Sequence, residues 1–148
     1  MKLKSSGFTL TELMITVGIV AVIAAVAVPS YRQYVQRANR ADATTALLRL
    51  AGAQERFYIQ NNTYATDAQL ATAPPGGLGF GGTERGLYDI ALVASAGGWQ
   101  NGYTLTATVA AGEAQADDDD CQTFTVNEQG QRAATDDGGS DNTATCWR

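Results

Sequence analysis

An α+β fold is predicted, with a long N-terminal α-helix packed on a three- to four-stranded antiparallel sheet. Three features of the 148-residue sequence point to it. An apolar run extends from Phe8 to Val28, a helical spacing of apolar residues continues to Gln60, and three alternating segments follow a Pro/Gly-rich stretch. The length allows one globular domain beside the apolar helix. A helix and a sheet with one apolar face each make a two-layer domain by burying one another.

The first element is the run "GFTLTELMITVGIVAVIAAVAVP", Gly7 to Pro29. Phe8 to Val28 is about 21 residues, roughly 31 Å as a helix, and a hydrocarbon core is about 30 Å thick. A single segment in lipid satisfies its backbone only as a helix. Glu12 interrupts the run, and an ionisable group at that depth costs about 2.5 to 3.5 kcal/mol. A secretory signal peptide would be shorter and would end in a small-residue cleavage site. A plain anchor leaves Glu12, Thr9 and Thr11 unexplained. A chain cut between Gly7 and Phe8 would set a new α-amine one helical turn from the Glu12 carboxylate, where the helix N-terminus also carries partial positive charge.

Pro29 opens or kinks the next stretch without ending it, since "SYRQYVQRANRADATTALLRLAGAQERFYIQNN" has no second proline and many helix formers. Ala43, Leu47, Leu50, Gln54, Phe57 and Tyr58 share one face, interrupted only by Gln54, while Arg49 and Arg56 point elsewhere. From Phe8 to Gln60 such a helix is roughly 80 Å long, so its outer half, residues 29–60, must pack on something outside a bilayer. The head, residues 61–148, is the available partner.

"QNNTYATDAQL" supplies residues that end a helix, and "APPGGLGFGG" from Ala73 to Gly82 reads as a connector. It lacks the preceding strand and following lysine of a phosphate loop. "LYDIALVA" aligns Tyr88, Ile90 and Leu92; "GYTLTATVA" aligns Tyr103, Leu105, Ala107 and Val109; "CQTFTVN" aligns Phe124 and Val126. "NEQG" then turns the chain into a short segment near "QRAA".

"GFTLTELMI" resembles the processing site of type IV prepilins, in which a short basic leader ends in Gly and the mature chain begins with Phe and has Glu fifth. "VPSYRQYV", "ERFYIQNNTY", "CQTFTVNEQGQ" and the terminal "CW" are also similar to this family, in particular to its minor-pilin E type. The resemblance implies a leader of residues 1–7, cleavage between Gly7 and Phe8, N-methylation of Phe8, and a role for Glu12 in filament assembly. It implies a structural subunit stored in the inner membrane with its head exported, then assembled into an extracellular pilus that supports twitching motility or adhesion. The implied partners are other pilin subunits, a prepilin peptidase, the inner-membrane assembly machinery, and membrane lipid before assembly. A type II secretion pseudopilin and a DNA-capturing minor pilin for natural transformation are the alternatives.

Charge and composition narrow the classes. Through Gln60 seven basic residues oppose three acids, a balance of +4; beyond it Arg85, Arg132 and Arg148 oppose twelve acids, a balance of −9. An acidic head is poorly suited to counterion-release binding, so direct nucleic-acid binding is not expected of the head as a whole, although a few arginines in a loop could make a local site. With no histidine, every His-dependent triad or metal site is excluded. No catalytic residue, cofactor or metal is assigned. "ADDDDC" and "DDGGSDN" lack the ligand spacing of an EF-hand and read as solvated acidic loops. Lys/Arg counts do not decide which end faces the cytoplasm. On an exported head Cys121 and Cys146 would meet oxidising conditions and form a disulfide; two buried thiols are the alternative.

Overall fold

The computed structural model describes residues 7–148, so the expected leader, apart from Gly7, lies outside the described residues. Helix α1 spans Leu10–Asn61, a 3-10 turn follows at Asp67–Gln69, and strands β1 (Tyr88–Ala94), β2 (Tyr103–Val109), β3 (Thr123–Asn127) and β4 (Arg132–Thr135) precede a short helix α2 (Thr143–Cys146). The chain forms two compact units, one ending at Val35 and one spanning Gln36–Arg148.

The first unit is the apolar part of α1, whose richest stretch has a mean hydropathy of 2.4 and is unburied. Pro29 cannot donate to the carbonyl of Ala25. The chain stays helical through it, and the Ser30 hydroxyl donates to the Val26 carbonyl at 3.0 Å. The helix ends where Asn62 adopts a left-handed φ of 56° and its N–H reaches the Tyr58 carbonyl at 2.8 Å. Asparagine tolerates that conformation better than most residues.

The second unit holds the core. Its sheet is a four-stranded antiparallel meander in the order β1-β2-β3-β4. Register lines Leu92, Leu105 and Val126 in one inward row and Ile90, Ala107, Phe124 and Ala134 in the next. Ala43, Leu47 and Leu50 of α1 pack into one buried cluster with Tyr88, Leu92, Tyr103, Leu105, Phe124 and Val126. The opposite side of the sheet carries Thr104, Thr106 and Thr108 of β2 beside Asn127, Thr125 and Thr123 of β3. The Pro/Gly stretch does more than connect, since its Leu78 and Phe80 pack against the core.

Gln54 interrupts the apolar face for a structural reason. Fully buried, its amide donates to the Ala65 carbonyl at 2.9 Å and accepts the Ala65 N–H at 2.8 Å, fixing the chain that leaves α1. Both sheet edges are also engaged. Asp67 accepts the Leu92 N–H of β1 at 2.9 Å, while at β4 the Ala134 N–H donates to Thr143 Oγ1 at 2.9 Å and the Ala134 carbonyl accepts Asn142 N–H at 2.9 Å. Satisfied edge groups do not invite a stray strand. Cys121 and Cys146 form the disulfide, with Cα atoms 5.8 Å apart, and the alternative of two free thiols is removed.

Candidate functional site

Phe8 is 87 % exposed, and α1 begins two residues later. Glu12 meets the start of its own helix. Its Oε2 accepts the Thr9 N–H at 3.0 Å and the Thr9 hydroxyl at 2.8 Å, while the Glu12 N–H donates to Thr9 Oγ1 at 3.2 Å. This is a reciprocal capping box. In the uncut chain Thr9 is therefore the Glu12 partner, and the Thr-x-x-Glu spacing was the sequence signal for it. Thr16 also bonds the Glu12 carbonyl.

On the head, the acidic stretch before Cys121 differs from a solvated loop. Asp118 is 3 % exposed and receives a two-pronged contact from Arg40, Nε at 2.8 Å and Nη2 at 2.7 Å. Gln36 donates to the Asp117 carbonyl at 2.9 Å, and Gln115 donates to the Gln36 carbonyl at 3.2 Å. The loop is thus latched to α1, while Asp117, Asp119 and Asp120 stay exposed. Arg40, although charged, is itself buried at this contact. The Asp118 hydrogen bond raises the Arg40 pKa above its ordinary value, with desolvation opposing. A planar guanidinium matches a carboxylate in this way, and a lysine would not. Burial, helped by nearby Asp118, pushes the Tyr88 hydroxyl upward.

Asp42 is also buried. Its Oδ1 accepts the Arg85 N–H at 3.3 Å, and it borders a cavity of about 180 Å³ between α1 and residues 80–85. Arg85 itself bonds Asn39, and Arg49 faces Glu84 across an exposed 3.5 Å contact. Such an exposed pair is worth at most about 1 kcal/mol.

The remaining two arginines of the head lie at its C-terminal edge. The Arg132 guanidinium sits 5.1 Å from the Trp147 ring centroid, a cation–π distance. Trp147 in turn packs edge-on to Phe124 at 5.9 Å and donates from Nε1 to the Ala133 carbonyl at 2.9 Å. Arg132, Thr104, Thr125, Asn127 and Gln131 border a shallow groove of about 440 Å³ on the threonine side of the sheet.

An exposed apolar helix joined in sequence to a small α+β head with a disulfide-closed tail defines the class of type IV pilins. Residues 29–125 match the sequence model of the family described as "Type IV minor pilin ComP, DNA uptake sequence receptor", and residues 2–28 match the prokaryotic N-terminal methylation motif. The chain belongs to this family of type IV minor pilins. Among solved structures it is similar to a type IV pilin from Shewanella oneidensis, at 26 % identity over 66 % of this chain and 89 % of that one, with a TM-score of 0.46. It is also similar to the non-core minor pilin PilV of Neisseria meningitidis, at 22 % identity over 72 % and 93 % of the two chains, with a TM-score of 0.49. No curated protein sequence matches it. The family is one of pilins, the subunits of type IV pili.

Proposed function

We propose that this minor pilin is a filament-borne DNA receptor. After cleavage between Gly7 and Phe8 and N-methylation of Phe8, the subunit is held in the inner membrane by Phe8–Val28 with its head exported. It is then drawn into a pilus with Pro29 as the kink in its stem. Glu12, released from its cap, pairs with the α-amine of an adjacent subunit and selects one axial register, a known use of buried polar groups in helical assemblies. The exposed apolar helix supports this route, because it needs either lipid or a bundle of similar helices around it.

The match of residues 29–125 to a family described as a DNA uptake sequence receptor carries the receptor reading. Long-range attraction contributes little to it, because the residues beyond Gln60 hold twelve acids against three arginines. DNA held by this head therefore depends on a local site. The test is natural transformation in cells lacking the chain, with filaments counted in parallel. Uptake of duplex DNA is expected to fall at least tenfold while filaments persist; unchanged uptake overturns the reading.

A further inference from the structure

We propose that the phosphate contact of this head is Arg132, held in place by Trp147 at the β4 edge of the sheet, with the groove of Thr104, Thr125 and Gln131 across that edge as the adjoining surface for the DNA backbone. The inference rests on the receptor reading and adds where, and by which groups, the head takes its ligand.

A phosphate needs a cation not already engaged, and most arginines of the second unit are engaged or face carboxylates. Arg40 is buried against Asp118, Arg49 meets Glu84, and Arg85 bonds Asn39. Arg37 and Arg56 are exposed but sit on α1. Arg148 donates from Nε to the Ala144 carbonyl at 2.8 Å, whereas Arg132, with no carboxylate within 4.0 Å among the described residues, lies over the Trp147 ring.

The Arg132 guanidinium is also preorganised by the Trp147 ring. An arginine laid on an indole loses less rotamer freedom on binding than a free one, and its in-plane N–H groups remain available to an anion. Trp147 is itself fixed by Phe124, by the Ala133 carbonyl and by its place next to the disulfide at Cys146. Trp147 is a positioning residue, and the disulfide holds it. Register sets Arg132 in the inward row of Val126, and across the β4 edge from it Thr104 and Thr125 supply hydroxyls and Gln131 a side-chain amide. Such groups contact phosphate and sugar without adding charge.

This site predicts a distinctive salt dependence. One phosphate contact, from Arg132, gives a slope of log K against log salt of about −0.9, far shallower than that of a basic DNA-binding domain. The experiment is fluorescence anisotropy of a labelled DNA duplex with the full chain in detergent micelles, from 20 to 200 mM salt. Arg132→Gln is expected to weaken binding roughly fivefold to tenfold at 100 mM and to make the slope shallower by about one. Arg132→Lys keeps the slope but recovers only part of the affinity, and Trp147→Leu, checked for an intact fold by circular dichroism, behaves like Arg132→Lys. Arg56→Gln on α1 leaves both quantities unchanged. Wild-type chain that binds duplex while Arg132→Gln binds equally well overturns the site alone. Wild-type chain that binds no duplex at any salt overturns the receptor reading and the site with it. Equal competition by inorganic polyphosphate leaves phosphate recognition standing but overturns the assignment of the groove to a DNA backbone.

Discussion

In the uncut chain one oxygen of Glu12 is held by both the N–H and the hydroxyl of Thr9. Cleavage after Gly7 would leave an ammonium on Phe8, a stronger partner within the same turn, and in a filament a neighbour's ammonium would compete for it. Glu12→Val removes the charge at no insertion penalty and loses only its half of the helix cap. The variant is expected to accumulate in the membrane with a folded head yet to enter filaments poorly, measured by competing it with wild type in the same cells. Equal incorporation would show that Glu12 is only a cap. Arg40 offers a contrasting test, because both side chains of its pair with Asp118 are less than a tenth exposed. Arg40→Met should cost about 3 to 5 kcal/mol by stranding a buried carboxylate, and Arg40→Met with Asp118→Leu should regain most of it. Urea unfolding of the detergent-solubilised chain reads both. A loss below about 1 kcal/mol for the single variant would mean that the loop swings out to water.

At the scale of elements, the disulfide and the helix–sheet layer set the stability. The Cys121–Cys146 bridge spans a sequence separation of 25 residues. Closing such a loop is worth roughly 3.5 kcal/mol in the chain-entropy model. The tail also has bonds of its own, from Ser140 N–H to Asp136 and from the Asn142 side chain to the Asp120 carbonyl. Cys121→Ser and Cys146→Ser are therefore expected to lower stability by similar amounts of up to about 3 kcal/mol, read by urea unfolding, while leaving β1 to β3 paired. Tyr88 and Tyr103 give the layer a pH signature. Burial raises both hydroxyls well above their ordinary value of 10.0, so the folded state favours the neutral form. Their contribution is complete below about pH 10 and is lost as pH rises beyond it. Absorbance titration should show Tyr88 and Tyr103 ionising late, together with unfolding. Ionisation of Tyr88 and Tyr103 ahead of unfolding would contradict the packing. The strands were legible because their alternation is a burial pattern, as with Leu105 and Ala107 between threonines. Arg40 and Asp118 were not, since charged residues in sequence carry no sign of a partner 78 positions away. Gln54 stood out as an exception to its face, but its target Ala65 could not be read from periodicity. The Thr9–Glu12 cap was legible, because Thr-x-x-Glu at the head of an apolar run is the spacing of a capping box.

For the whole molecule, the two units divide the work of folding and of anchoring. Every residue of the buried apolar cluster lies at or beyond Ala43, so the first unit adds none of that core. Its side chains are exposed instead, Leu10 by 75 % and Val22 by 70 %, and an apolar surface of that extent needs lipid, detergent or other helices. Removing it should then change solubility far more than stability. A chain beginning at Pro29 places proline at the first position of the shortened helix, where its missing N–H is harmless. It also keeps Gln36 and Arg40, the two α1 residues that hold the loop before Cys121. This shortened chain is expected to be soluble and monomeric without detergent, with an unfolding free energy within about 1 kcal/mol of the full chain in micelles, because the new helix end frays at low cost. The full chain without detergent should aggregate. Sedimentation and urea unfolding of the two chains check both statements, and a shortened chain that fails to unfold cooperatively would mean that residues before Pro29 contribute to the head.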